Sequence, residues 1–145
     1  MDTSETYIKM CEQSPLQYLW VPAACDYIYC RLGGRVDVLS DGDVAQGRYG
    51  HGFEIWDGCG LWCPHHDKML SDEEFKKDHF CLFRQDQLQG VVIDEYVSPR
   101  KMLVNFGRYC DEYGDIDFSG EQLWHAFVVK EKYNKVWNGE DWVEG

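Results

Sequence analysis

Basic side chains are scarce in this sequence, and the shortage argues against two classes of partner. Lysine and arginine number 14 against 26 aspartates and glutamates, so the formal net charge is −12 at neutral pH. A chain of this charge is repelled by phosphate backbones and by anionic lipid. We therefore expect neither non-specific binding to nucleic acid nor attachment to a membrane.

Long apolar runs are missing as well. No stretch approaches the roughly 18 apolar residues that cross a bilayer, and residues 1–5 lack the basic and apolar regions of a secretory signal. The sequence therefore predicts a cytoplasmic protein. Hydrophobic residues still make up 44% of the 145 positions, enough to form a core, and the length suits one domain over residues 1–145.

The seven cysteines do not indicate a disulfide framework, because their number is odd and no secretory signal accompanies them. Cys11, Cys81 and Cys110 lie in apolar periodic segments. Free cysteine behaves as a small hydrophobic residue, so we expect these three side chains in the core.

Hydrophobic periodicity predicts an α+β fold. We expect a small antiparallel sheet of three to four strands, with an N-terminal helix and two C-terminal helices packed on one face. The predicted sheet includes residues 26–31 and 35–39, joined by a glycine turn at Leu32–Gly34, and residues 79–83. Residues 84–89 are predicted to form a polar turn or short helix.

Three helices are predicted from their caps and apolar faces. The first spans about residues 5–13 after a Thr3 or Ser4 cap, and Ser98-Pro99 begins the second. Ser119 and Gln122 have the spacing of a capping box and begin the third. The residues predicted to face inward are Met102, Leu103, Phe106, Tyr109 and Cys110 in the second helix, and Leu123, Trp124, Phe127 and Val128 in the third.

Between these elements lies an irregular, Gly/Cys/His-rich region at about residues 40–78, in which Phe53–Trp56 is a candidate short strand. Its Cys59, Cys63, His65 and His66 are the residue types that bind zinc tetrahedrally. All four crowd into eight residues, whereas structural zinc sites pair ligands in two separate halves. Cys25 and Cys30 are candidates for the second half. The alternative is a solvated loop without metal.

Covalent catalysis is not predicted. A nucleophilic cysteine needs a neighbouring base and an orienting group. His65 lies close to Cys63, but Pro64 restricts their approach and no oxyanion donor is recognisable. We therefore expect no catalytic residues, no enzymatic activity and no cofactor, with zinc as the one alternative.

Aromatic residues are more abundant than a core of this size requires. Six tryptophans and nine tyrosines are present, and some of them are expected to line a ligand pocket or a protein interface. The predicted ligand-binding residues are Trp56, Trp62, Arg84 and Trp124. The competing interpretation is that these aromatic residues fill the core and anchor the tail through Trp137 and Trp142.

Three stretches of the chain resemble a family of small phage and prophage proteins of unassigned activity. They are residues 7–12 followed by Trp20-Val21-Pro22, the RQDQLQ sequence at 84–89, and the long run from 121 to 142. His125 and Val129 stand where that family usually has Leu and Met. The resemblance implies a viral origin and transfers no catalytic residue.

These observations predict a non-enzymatic binding or inhibitor protein that acts on a host or defence component in the host cytosol. The expected partner is a host protein or a small anionic ligand such as a signalling nucleotide, with a homo-oligomer as one way to build the pocket. The alternative is a zinc-containing domain or metal-dependent enzyme that uses residues 59–66.

Overall fold

The computed structural model describes residues 1–23, 26–39, 72–113 and 117–145. Contacts within the chain define two compact units. Unit 1 combines Met1–Leu16 with Phe83–Gly145, and unit 2 is Gln17–Leu82. In the described part of the chain, no helix has the length and apolar character needed to cross a membrane.

Unit 2 contains an antiparallel sheet built from three described strands. They are β1 (Tyr27–Cys30), β2 (Arg35–Val38) and β3 (His79–Leu82), in the order β2-β1-β3. Gly34 closes the β1–β2 turn with a φ of +59°, a conformation that glycine adopts without strain. The predicted hairpin and the strand at 79–83 are therefore confirmed. A helix at Asp72–Asp78, α2, immediately precedes β3.

Unit 1 holds four α-helices and a terminal hairpin within its described residues. The helices are α1 (Glu5–Glu12), α3 (Gln85–Val92), α4 (Pro99–Tyr113) and α5 (Gly120–Tyr133), and the hairpin pairs β4 (Lys135–Trp137) with β5 (Trp142–Glu144). Short 3-10 turns follow α1 at Pro15–Tyr18 and α3 at Ile93–Glu95. The predicted α+β fold class is thus confirmed.

The helix boundaries follow the predicted caps. The hydroxyl of Ser4 accepts a hydrogen bond from the Tyr7 amide, and Ser119 and Gln122 form a reciprocal capping box at α5. Asn134 ends α5 in the left-handed conformation, with a φ of 52°, which asparagine tolerates better than most residues.

The side chain of Asp2 ties the N-terminal segment to the start of α5. Its carboxylate accepts hydrogen bonds from the Ser119 hydroxyl at 2.6 Å and from the side-chain amide of Gln122 at 2.8 Å. Burial alone would raise the pKa of Asp2, but these hydrogen bonds and those from Ser4 outweigh it and hold the pKa below its usual value. The charged carboxylate therefore stabilises this junction.

Three features of unit 1 differ from the prediction. Leu103 was expected to face inward, but it lies on the solvent side of α4 and is 53% exposed. The tail forms a strand pair that no pattern indicated, whereas the segment after Arg84 is a short helix, one of its two predicted forms. In addition, α5 is buried on nearly every side from Gln122 to Val129, because it is the central helix of the unit. The candidate strand Phe53–Trp56 lies outside the described residues.

Replacing Ser119 by alanine should lower the free energy of unfolding by about 1–2 kcal/mol, because the cap of α5 and the hydrogen bond to Asp2 are both lost. Ser98→Ala is the comparison, since the Ser98 hydroxyl accepts only the Lys101 amide, at 3.3 Å on the exposed surface. Urea unfolding of both variants measures the difference. Equal losses would contradict the importance of the Asp2 junction.

Candidate functional site

The strongest polar cluster of unit 1 surrounds His125, which is completely buried in α5. Its Nδ1 lies 3.5 Å from the Cys11 sulfur, and its Nε2 lies 2.7 Å from the Ser14 hydroxyl. The cluster therefore joins α1, the turn that follows it, and the central helix. A thiol, an imidazole and a hydroxyl in contact are the groups from which covalent catalytic sites are built.

Aromatic rings enclose this cluster. Tyr7 and Phe83 present their rings edge-on to the imidazole, at 5.7 and 5.6 Å between centroids, and Trp142 lies 5.4 Å away. Tyr7 donates a hydrogen bond to the Phe83 carbonyl, and the Trp142 indole donates one to the Met10 carbonyl at 3.0 Å. The surroundings are thus apolar, with their own polar atoms satisfied.

Burial keeps both reactive groups neutral. Desolvation raises the pKa of Cys11 to about 12 and lowers the pKa of His125 to about 3. A catalytic cysteine requires the thiolate, and its nucleophilicity depends on a lowered pKa and on access for the substrate. Cys11 has the opposite pKa shift and no exposed surface. The geometry therefore supports a structural role, in which the neutral imidazole satisfies the Ser14 hydroxyl and the Cys11 thiol.

The sequence analysis did not predict this cluster, because it considered only cysteines and histidines that are close together in the sequence. Cys11 and His125 are 114 positions apart. The one available signal was the position of His125 between Trp124 and Ala126 on an apolar helix, where a polar side chain needs a buried partner.

The predicted zinc ligands Cys59, Cys63, His65 and His66 lie outside the described residues, as does Cys25. Cys30 is buried in β1. Within the four described ranges, no group of three or more His, Cys, Asp or Glu side chains is placed to hold a metal ion. Of the three cysteines predicted as core residues, Cys11 and Cys81 are buried, and Cys110 is partly exposed.

The predicted ligand-binding residues occupy different environments. Trp56 and Trp62 lie outside the described part of the chain. Arg84 begins α3 and pairs with Asp86 at 3.0 Å. Trp124 is 3% exposed and stacks on Phe106 at 3.8 Å between ring centroids. The Arg84 side chain is therefore partly accessible at the surface, whereas Trp124 is accessible only if core side chains move.

A cavity of about 280 Å³ lies between α4 and α5. Its lining residues are Asn105, Arg108, Tyr109, Glu112, Tyr113, Phe127, Lys130 and Glu131. The Lys130 ammonium lies 5.7 Å from the centre of the Tyr113 ring. Two cations and two carboxylates share this lining, so the site has little net attraction for a phosphate group.

In unit 2, the segment from Gln17 to Ala23, which we name the anchored segment, is fixed at both ends. The side-chain amide of Gln17 donates a hydrogen bond to the Cys81 backbone carbonyl at 2.8 Å and accepts one from the Cys81 backbone N–H at 3.1 Å. This side chain thereby imitates a neighbouring strand on the outer edge of β3. This contact covers the outer edge of β3 and protects it from pairing with a strand of another chain.

Trp20 fixes the middle of the anchored segment. Its indole N–H donates to the buried Asp26 carboxylate at 2.8 Å, and the Ala23 amide donates to the same oxygen at 2.8 Å. The Lys76 ammonium donates to the Trp20 carbonyl and lies 5.5 Å from the centre of its ring. The backbone around Trp20 is therefore held by three separate contacts.

Apolar side chains between these anchors point outward. Tyr18 is 92% exposed, Leu19 57% and Val21 67%, while Trp20 between them is 5% exposed. An ordered backbone that displays an exposed tyrosine is typical of a protein-binding surface. No functional role had been predicted for Tyr18, Leu19 or Val21.

No protein-family model, curated protein or solved structure matches this chain.

The stability of the protein should fall as the pH is lowered, because His125 is neutral when folded. Burial lowers the pKa of His125 from its ordinary value of 6.5 to about 3 in the folded protein. Below pH 6.5 the His125 imidazole becomes protonated in the unfolded chain but stays neutral in the folded chain. The contribution of His125 to stability is therefore fully present above pH 6.5 and is lost toward pH 3, by up to about 1.4 kcal/mol per pH unit.

Urea unfolding between pH 7.5 and 4 measures this slope. His125→Leu keeps a similar volume without the titrating group, so its slope should be smaller than that of the wild type by the histidine contribution. Carboxylates contribute equally to both proteins. Identical slopes would contradict a buried neutral imidazole.

Cys11 should resist alkylation in the folded protein. Iodoacetamide reacts with thiolates, and a buried thiol with a pKa of about 12 supplies almost none at pH 8. Peptide mass spectrometry should find Cys11 unmodified in the native protein and modified in urea. Rapid labelling of native Cys11 would instead indicate an accessible, activated nucleophile.

Proposed function

We propose that this chain is a non-enzymatic binding protein that recognises another protein through the anchored segment. The observation that carries the proposal is the exposure of Tyr18 at 92% beside the buried, hydrogen-bonded Trp20. Tyrosine is among the residues that most often dominate binding energy at interfaces. Water surrounds its ring here, so a partner that covers it gains the burial of a large apolar surface.

The fixed backbone supports the same function. Ordering a flexible loop on binding costs free energy that reduces affinity. The contacts of Gln17 and Trp20 have already ordered this loop in the free protein. Tyr18, Leu19 and Val21 are therefore presented in one arrangement, which favours a specific partner over many weak ones.

A protein target is favoured over a nucleotide signal. The cavity between α4 and α5 includes Arg108 and Lys130, but Glu112 and Glu131 lie in the same lining and repel phosphate. The net charge of −12 also favours a partner with a basic surface, because opposite charge accelerates association.

The resemblance to phage and prophage proteins supports a host or defence component as the target, and inhibition as the result of binding. A location in the host cytoplasm is part of this proposal. The zinc-containing alternative depends on residues 59–66, outside the described ranges.

A photo-crosslinking amino acid at position 18 tests the proposal in lysate from infected host cells. The matched control carries the same group at position 32, because Leu32 is also exposed, at 53%, and belongs to the same unit. We expect a crosslinked protein from position 18 and not from position 32. Mass spectrometry identifies it.

Calorimetry with the purified partner then measures the Kd and the free energy of binding. Replacing Tyr18 and Leu19 by alanine should weaken the Kd by about 30-fold or more, corresponding to a hot spot of about 2 kcal/mol, while Leu32→Ala changes it little. Thermal unfolding should be unaltered in each variant, since these side chains are exposed. An unchanged Kd in the double variant would refute the proposed surface.

A further inference from the structure

One face of α4 in unit 1 is exposed to solvent, and its side chains form a continuous row. The α4 stripe consists of Arg100, Leu103, Val104, Gly107, Arg108 and Asp111, all of them exposed. These positions recur every three or four residues, so they lie on one side of the helix. Met102 and Tyr109 are buried on the opposite side. The packing of unit 1 therefore does not require the stripe.

The centre of the stripe is apolar. Leu103 is 53% exposed and Val104 is 47% exposed. Between residues 100 and 111 the helix rises about 16 Å, which is the length of three turns of a second helix. Leu103 and Val104 together form a small apolar patch against which the apolar face of another helix can pack.

Gly107 makes the stripe flat. It lies inside a helix, where glycine is less favourable than other residues. No atom lies within 4 Å of the position that a Cβ would occupy, so packing within unit 1 does not require glycine there. A missing side chain does allow another backbone to approach closely, as small residues do at helix interfaces.

The charge of the stripe is unusual for this acidic chain. Arg100 and Lys101 lie in the first turn of α4, which contains no acidic residue, although the helix dipole favours acids there. Among the described residues, no carboxylate forms an ion pair with Arg100 or Arg108. Arg100 and Arg108 thus flank the apolar pair without an ion-pair partner, although Glu112 and Glu131 lie near Arg108 in the cavity lining and Asp111 ends the stripe.

We propose that the α4 stripe binds an acidic amphipathic helix of a partner protein. The apolar residues of that helix pack on Leu103 and Val104, its backbone approaches Gly107, and its carboxylates pair with Arg100 and Arg108. Arginine suits this task because its planar group binds carboxylates through two hydrogen bonds. This surface is independent of the anchored segment and lies in the other unit.

Selection from a display library of helical 14-residue peptides on the intact protein tests the proposal. The enriched peptides should carry an apolar pair three or four residues apart, flanked by Asp or Glu. Fluorescence anisotropy then gives the Kd of an enriched peptide. We expect Leu103→Glu to weaken it at least 10-fold and Leu32→Glu to leave it unchanged, since both leucines are 53% exposed in the wild type.

Charge reversal and glycine replacement sharpen the test. The double variant with Arg100→Glu and Arg108→Glu should bind the acidic peptide at least 10-fold more weakly than the wild type does. It should instead bind a version of the peptide that has lysines in place of its acidic residues. Gly107→Leu should raise the Tm yet weaken binding, so misfolding cannot account for the loss. Tyr18→Ala should leave peptide binding unchanged, which separates this result from the proposed function.

Several results would overturn the proposal. They are the absence of any enriched peptide, enriched peptides without acidic residues, and binding that the stripe variants do not alter. A concentration-dependent dimer abolished by Leu103→Glu would identify a second copy of the chain as the occupant instead. Binding to RNA or to anionic vesicles that is lost on arginine reversal would likewise replace the acidic helix.

Discussion

The neutral imidazole of His125 is the constraint on which unit 1 depends. It lies in the central helix, and its two nitrogens contact Cys11 and Ser14. A polar group without exposure must have partners of the right kind, since an unpaired one destabilises the fold by about 1–3 kcal/mol. The N-terminal helix, the turn after it and α5 therefore meet at one ring. The chemistry of a catalytic site is present in this cluster, but burial removes the charges that catalysis requires.

Much of the fold was predictable because local chemistry marks its boundaries. Ser4, the Ser119 capping box and Asn134 have side chains that satisfy helix ends, and Gly34 permits the turn of the hairpin. Leu103 was misplaced for a different reason. Periodicity identifies an apolar face but not how much of it another element covers, and at Leu103 the covered face has already ended. The burial of α5 on nearly every side likewise depends on its neighbours, which its own sequence does not specify.

The candidate sites were harder to predict than the elements that carry them. Cys11 and His125 meet only because α1 packs on α5, and no motif indicates a contact across 114 positions. In the anchored segment, Tyr18 and Trp20 are both aromatic and two residues apart, yet one is exposed and the other buried. The difference lies in Asp26, whose buried carboxylate accepts the Trp20 N–H. Such a choice between two similar residues follows from tertiary hydrogen bonds, which composition and periodicity do not reveal.

The composition of unit 1 from residues 1–16 and 83–145 has a consequence for how the protein is made. Met10 and Trp142 are hydrogen-bonded partners separated by 132 positions. At a synthesis rate of about 5–20 residues per second, roughly 7–26 s pass between the two. Throughout that interval the core of unit 1 is incomplete, so part of the apolar side of α1 stays in contact with water or with a chaperone. Unit 1 therefore completes its folding only after α5 and β5 have left the ribosome.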